Sequence, residues 1–390
     1  MSRADLAGYT RAVGIMTGTS ADGVDAAAVT IERGFPPRRA VLEVLCSRPF
    51  PDEVREAILG AQEGTLPMRR LLALSVELSR VAAEVAQDAI RAAMWIAPPD
   101  VVGFHGQTVF HDPRGERSGV ALSAQIAEPT VIASEVGAPV VTNFRMADVL
   151  AGGEGAPLVP RFDWHQFASD DRDRVLLNLG GIANLTRVPP DADLDEVVAF
   201  DCGPGNMLLD ALAASLLPGE RFDRDGKRAA AGRADVEVVR ELLADPFFAR
   251  RPPKSAGREE FGLAYRDAFL ERTPTLSTED RLRTAVALTA GAVARAIALS
   301  GDDLPDEVIV SGGGTRNATL LDAIQGALGD VPVVTSDALG VPSEAKEAMA
   351  FAFLAAETLA GRPGNVPSAT GARKEVVLGS VTPPPTPRGR

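Results

Sequence analysis

The sequence runs to 390 residues with 45% apolar content, longer than the roughly 250–300 residues at which a single hydrophobic core stops growing, so two domains are expected. A formal charge of −13 with no basic block repels a nucleic-acid backbone or an anionic membrane surface, which excludes both as expected partners. Cys46 and Cys202 stand far apart and give neither a disulfide framework nor a paired metal-ligand spacing; with Arg3, Asp5 and Gly8 in place of an apolar leader, the expected location is the cytoplasm.

In chain order, a strand over residues 13–16 ends at Gly18 and a second apolar run follows at 24–31, which predicts a β-turn-β opening. Its turn, Gly18-Thr19-Ser20-Ala21-Asp22-Gly23-Val24-Asp25, gathers small hydroxyl residues, glycines and two carboxylates. It lacks the Gly-Lys-Ser/Thr ending of a Walker loop, and a strand rather than a helix comes next. Two readings stay open: a turn that aims N–H and O–H donors at phosphate, with Asp22 or Asp25 acting through Mg2+, or a plain hairpin with an Asp-Gly corner. Further strands are expected at 41–46, 101–104 and 139–142, and apolar residues at three- and four-residue spacing predict a long helix over 68–94.

His105 and His111, in the stretch that also holds Gln107, are too widely spaced and too poorly supported for zinc. They read as groups that hydrogen-bond a substrate or pack at a strand end. Downstream, the planar fork of Arg145 suits a carboxylate, and Asp148 is a candidate base or sugar ligand; the alternative is that the two pair with each other. The polar, glycine-rich run 152–160, including Gly155 and Pro157, has the chemistry of a binding loop.

The charged residues 169–174 predict a boundary, after which a second strand-glycine-strand unit begins at Val175. Asn178-Leu179-Gly180-Gly181-Ile182-Ala183-Asn184 leaves room for a phosphate, or is an ordinary Gly-Gly hairpin. Two such units about 160 residues apart indicate a duplicated α/β architecture. Asp201 precedes a Gly-Pro-Gly corner and Asn206, at a strand end where α/β proteins keep reactive groups; it is either a general base or a carboxylate that ties the following turn. Helices are expected at 207–217 and 284–299 and a strand at 308–310. The glycines Gly312, Gly313 and Gly314 before Thr315 then leave space for adenine or ribose, or form a plain strand-to-helix turn. Residues 1–170 and 171–381 are the expected lobes, and 382–390, with four prolines, a loose tail.

Taken together, these segments resemble the anhydro-N-acetylmuramic acid kinase family, within the superfamily of acetate kinase, sugar kinases, heat-shock chaperone ATPases and actin. The resemblance rests on Gly14 to Asp25, the His-Gly-Gln-Thr stretch at 105–108, the 155–160 segment, Asn178 to Asn184, Phe200 to Asn206, Gly312 to Asn317, and the later Glu347-Ala348-Met349-Ala350-Phe351-Ala352 and Thr370-Gly371-Ala372. It implies a two-lobed, actin-like (ribonuclease H-like) fold of duplicated domains with ATP in the interdomain cleft, and a homodimer. It implies phosphate contacts from Gly18, Thr19, Ser20, Ala21, Asp22, Gly23, Val24 and Asp25, with Mg2+ at Asp22 or Asp25. It also implies a facing phosphate loop at Asn178, Gly180, Gly181 and Asn184, and adenosine near Gly312 to Thr315.

The sugar contacts implied are His105, Gln107, Arg145, Gly155, Pro157 and Asn206, and the catalytic base is Asp201, with Asp148 as second candidate. Asp201 then takes a proton from water as the water opens the 1,6-anhydro ring, and the freed O6 takes the γ-phosphate of ATP. An actin-like kinase for another sugar and a non-catalytic ATP-dependent switch are the alternatives. The sequence departs from the family pattern at Asn143, Glu128-Pro129, Glu154 and Cys202.

Overall fold

Burial along Tyr9–Thr17 (β1) and Gly23–Glu32 (β2) fits a sheet covered on both faces; the two strands form an antiparallel hairpin that Ala40–Pro49 (β3) extends. The structure, a computed structural model, describes residues 8–18, 21–34 and 38–385. Val101–Phe104 (β4) pairs in parallel with β1, Gln107–Asp112 (β5) and Leu122–Ile126 (β6) make a separate hairpin, and Val140–Thr142 (β7) pairs in parallel with β4. Helix Met68–Ala92 buries Leu74, Leu78, Ala82, Val85 and Ala89, whose spacing puts them on one face. That face packs with Val13, Ile15, Val24 and Ala26 of β1 and β2.

A second sheet repeats the plan. Arg174–Leu179 (β8), Ile182–Val188 (β9) and Val198–Pro204 (β10) run antiparallel. Glu307–Ser311 (β11) then pairs in parallel with β8, and Val333–Thr335 (β12) with β11. The order β10-β9-β8-β11-β12 matches β3-β2-β1-β4-β7 in sequence and in sense, the duplicated, ribonuclease H-like plan of the actin-like fold. Helix Thr278–Ser300 starts where Ser277 accepts from the Asp280 N–H at 3.1 Å, with Glu279 and Asp280 favourably placed in its first turn. It is long and apolar enough to cross a membrane by composition alone, and its buried residues, Leu282, Val286, Val293 and Ile297 among them, form the core behind β8 to β10.

The chain divides into two units, residues 167–344 and residues 1–166 with 345–390. The sequence reading assigned 171–381 to the second lobe, and the structure corrects this. Helix Lys346–Leu359 is buried over nearly its whole circumference and lies on the first sheet. A Cβ on Gly14 would stand 1.8 Å from the Ala348 carbonyl oxygen, and one on Gly103 would stand 2.2 Å from that of Phe351, so the helix rests on bare backbone at both places. Ser380–Thr382 (β13) then pairs antiparallel with β7, so Thr382 belongs to the sheet rather than to the expected tail, and residues 386–390 of that tail lie outside the described residues.

Candidate active site

Unit 2 brings three of the sequence motifs together. The Gly180-Gly181 turn joins β8 to β9 with Asn178 opposite Asn184; Asn184 is opposite Asp201 on β10, and Asn178 is beside Ser311 on β11. Residues directly opposed in a sheet share a face, so Ser311, Asn178, Asn184 and Asp201 make a polar row across four strands. The Ser311 hydroxyl is buried and has no hydrogen-bond partner among the described residues. The turn also organises helix Asn206–Leu216: the Gly180 carbonyl accepts from the Asn206 N–H (2.8 Å) and the Gly181 carbonyl from those of Gly205 and Met207 (both 3.0 Å), while the Asn206 amide donates to the Leu179 carbonyl at 3.0 Å.

The third glycine motif closes against the same hairpin. Gly312, with φ of +86°, has no room for a Cβ, which would lie 2.5 Å from the Asn178 Oδ1. Gly313 is exposed, and its nearest neighbour in the Cβ direction is the Asn206 Nδ2 at 4.0 Å. Gly314 is buried against Leu179, and the Thr315 N–H (3.1 Å) and hydroxyl (2.8 Å) both donate to the Gly312 carbonyl.

Asp201 sits where β10 is bulged, between Asp201 and Gly203. Its backbone N–H donates to the Lys254 carbonyl at 3.1 Å, and its Oδ2 accepts from the Ala256 N–H at 2.8 Å. The bond from Ala256 ties the half-buried carboxylate to a segment 55 residues further along the chain. Burial, with the Asp201 charge adding to it, pushes the Cys202 thiol up, so this cysteine stays protonated and inert. The sequence reading did not single out residues 252–256. The scarcity of lysine, four among 40 basic residues, was the sole sequence signal there, and the 3% exposure of Lys254 emerges only in the structure.

In unit 1, the opening turn has Ala21 at φ 58°, with its N–H donating to the Gly18 carbonyl at 3.2 Å. Thr19 and Ser20 lie outside the described residues. The Asp22 carbonyl accepts from the Phe50 N–H at 3.0 Å, and its carboxylate, 68% exposed, is 3.7 Å from Arg55. Gly23 and Val24 open β2, and Asp25 accepts from the Ser47 hydroxyl at 2.5 Å. The two carboxylates thus have separate partners. Their oxygens suit Mg2+, which keeps several waters and takes one or two carboxylates, and the exposure of Asp22 leaves space for those waters.

His105 is buried with its Nε2 accepting from the Arg145 Nε at 3.0 Å and its Nδ1–H donating to the Gly106 carbonyl at 2.7 Å. Because a guanidinium only donates, the ring is neutral, and burial with the nearby Arg145 charge holds its pKa well below the usual value. Burial, then Arg145, lowers His111 to about 4; its Nδ1 meets the Ser123 hydroxyl at 2.8 Å. Gln107 is fully buried, donates to the Gly18 carbonyl at 3.3 Å, and has its Oε1 without a partner among the described residues. Arg145 also donates to the Gly155 carbonyl at 2.7 Å, and Pro157 is half-buried behind a cis peptide bond.

Asp148 has a different setting from Asp201. It has no exposed surface; its Oδ2 accepts from the Gly155 N–H at 2.8 Å and its Oδ1 from the Asn365 amide and the Thr370 hydroxyl, both at 2.7 Å. The carboxylate ties the glycine-rich loop to the 365–370 segment, a geometry that speaks for a structural tie over the base or sugar ligand the sequence offered.

The sequence that carries these loops has counterparts in known proteins: the family described as anhydro-N-acetylmuramic acid kinase matches residues 10–384. The chain belongs to that family. It is 43% identical over 381 residues to the anhydro-N-acetylmuramic acid kinase of Salinibacter ruber, covering 95% of this chain and 96% of that one. To the enzyme of that name from Streptomyces coelicolor it is 42% identical over 377 residues, covering 96% and 94%. Among solved structures, a ROK family glucokinase from Streptomyces griseus with glucose and AMPPNP is 15% identical with a TM-score of 0.40, covering 89% of this chain and 99% of that one.

The departures from the family pattern have local structural roles. Asn143 adopts φ 58°, a conformation asparagine tolerates better than most residues. Glu154 accepts two hydrogen bonds from Arg114, at 2.9 and 2.7 Å. Glu128 caps helix Pro129–Val136 through the Thr130 N–H, and Cys202 fills a buried space.

Proposed function

We propose that this chain is an ATP-dependent kinase that opens the 1,6-anhydro ring of 1,6-anhydro-N-acetylmuramic acid and phosphorylates O6, giving N-acetylmuramic acid 6-phosphate and ADP in cell-wall recycling. The observation that carries the reading is Asp201, held by the Ala256 N–H in a polar row with Asn184 and Asn178, on the hairpin that also supports Gly312 to Thr315. Asp201 accepts a proton from water while the oxygen of that water bonds to the anomeric carbon. The C1–O6 bond breaks, O6 bonds to the γ-phosphorus, and ADP leaves with the electron pair of the broken P–O bond. Phosphoryl transfer depends on in-line oxygens and charge neutralisation more than on covalent help from the protein.

Asn178, Gly180, Gly181 and Asn184 take phosphate oxygens and Gly312 to Thr315 the adenosine, and the Gly18 to Asp25 turn is a second phosphate loop. Bound Mg2+, held through Asp22 and Asp25 and their waters, would neutralise the phosphate charge. His105, Gln107, Arg145, Gly155, Pro157 and Asn206 are assigned to the sugar. The neutral His105 and the open acceptor on Gln107 support this, since both suit hydroxyl and amide groups. Asp148 supports the loop rather than the chemistry. A cytoplasmic homodimer is the family expectation, to be measured by light scattering.

The test is turnover of Mg-ATP and the anhydro sugar in heavy-oxygen water, with the product weighed by mass spectrometry. One heavy oxygen in the sugar phosphate is the expected result. A phosphorylated product without it, or no phosphorylation by a protein that binds ATP, sinks the proposal. Asp201→Asn should lower turnover by roughly 10²–10⁴-fold with ATP binding kept, the scale of general-base catalysis.

A further inference from the structure

Residues 254–256 bracket Asp201 on two sides, through the Lys254 carbonyl that takes its N–H and the Ala256 N–H that takes its Oδ2. This short strap has no regular secondary structure to hold it. Its anchor is the Lys254 side chain: the ammonium donates to the Phe247 carbonyl at 3.1 Å and lies 4.6 Å from the ring centre of Phe247 and 5.3 Å from that of Phe200. Phe200 precedes Asp201 in β10, so the cation clasps the strap and the strand that carries the carboxylate together. Cation–ring contacts of this kind are stronger when desolvated, and Lys254 is 3% exposed.

We infer that Lys254 is a positioning residue for Asp201, fixing the 254–256 strap that aims the carboxylate and lending it a nearby positive charge. The inference rests on the reading of Asp201 as the base. Lys254 itself reaches neither reacting atom nor phosphate in this role. Burial lowers the pKa of Lys254, Cys202 opposes that shift, Arg250 adds to it, and Asp201 favours the protonated form.

The test is the pH dependence of kcat for Lys254→Met and Lys254→Arg beside Asp201→Asn, with the full chain, Mg-ATP and the anhydro sugar. Lys254→Met should lower kcat by about 10–100-fold, since a misplacement of ~1 Å can cost about 10²-fold, with the KM for ATP little changed. Its acid limb should move to higher pH, because losing a neighbouring cation raises a carboxyl pKa. Lys254→Arg keeps the charge and should keep the limb in place. A limb that shifts in both variants or in neither overturns the inference.

Should Lys254→Met not fold, Phe247→Leu, which removes one ring and keeps the charge, decides the matter. A severalfold fall in kcat at constant KM supports the anchoring role, and wild-type kcat overturns it. If Asp201→Asn retains turnover, the base reading fails and takes this inference with it. If Asp201→Asn is inactive while Lys254→Met behaves as wild type, only the role of Lys254 falls.

Discussion

Adjacent glycines in the 312–314 loop should respond oppositely to the same added methyl group. Gly312 has φ of +86° and ψ of 174°, a region that is essentially closed to residues with a Cβ and costs about 1–3 kcal/mol when forced. Its new methyl would also lie 2.5 Å from the Asn178 Oδ1 and 3.0 Å from the Leu179 carbonyl oxygen. One of those is backbone, so Gly312→Ala should destabilise unit 2 by about 2–4 kcal/mol, combining strain with overpacking. For a unit of this size that lowers Tm by roughly 5–15 °C. Gly313 has open space instead, with its nearest atom at 4.0 Å, so Gly313→Ala should leave the melting curve in place. If adenosine lies on that backbone, Gly313→Ala should raise the KM for ATP without touching stability. Differential scanning calorimetry on both variants, with ATP saturation curves, makes the comparison. A Gly312→Ala protein that melts like wild type refutes the steric argument; a Gly313→Ala protein with an unchanged KM refutes the placement of the nucleotide.

Asp148→Asn puts an amide against three donors and should cost about 1–3 kcal/mol in urea unfolding, with turnover falling far less than for Asp201→Asn; equal losses of turnover would return Asp148 to the list of bases. Gly14→Ala drives a methyl into the backbone of helix Lys346–Leu359 and should destabilise unit 1 by about 3 kcal/mol or more, seen as a lower urea midpoint; a wild-type midpoint would mean the helix yields freely. All three histidines lie in unit 1, with folded pKa values lowered well below the usual value for His105, to about 4 for His111 and to about 3 for His165. Below about pH 6.5 the unfolded state binds protons that these native rings refuse, so stability falls as pH drops from there towards 4. Trp95 and Trp164 are also both in unit 1, so tryptophan fluorescence in urea should show the loss directly; a midpoint constant from pH 7 to 4.5 would contradict it.

Much of the fold was legible because the signals were local. The two strand-glycine-strand openings predicted the duplication, the strand expected at 101–104 is β4, and the helix expected over 68–94 is Met68–Ala92. The return of 345–390 to unit 1 was not legible. Helix Lys346–Leu359 is apolar nearly all round, so it shows no face to say which sheet it covers, and the glycines that receive it are more than 240 residues away. Asp201 and Asp148 both stood beside glycines in the sequence. What separates them is burial and the two donors, Asn365 and Thr370, that reach Asp148 from more than 200 residues away, which no spacing reveals. The 254–256 strap has no periodicity, and its contact with Asp201 is likewise non-local.

The return of the chain also fixes an order of events during synthesis. Unit 2 is one continuous segment, so every residue it needs has been synthesised before residue 345 is added. Unit 1 must wait for a helix that its own sheet requires: at the usual ~5–20 residues per second, residues 167–344 take roughly 10–40 s to appear. Throughout that interval the backbone at Gly14 and Gly103 lacks the cover it has in the finished molecule, and β7 has an unpaired edge. The nascent half-protein is thus an apolar surface in search of a lid, and a ribosome stalled between residues 166 and 345 presents it to any neighbour or chaperone within reach.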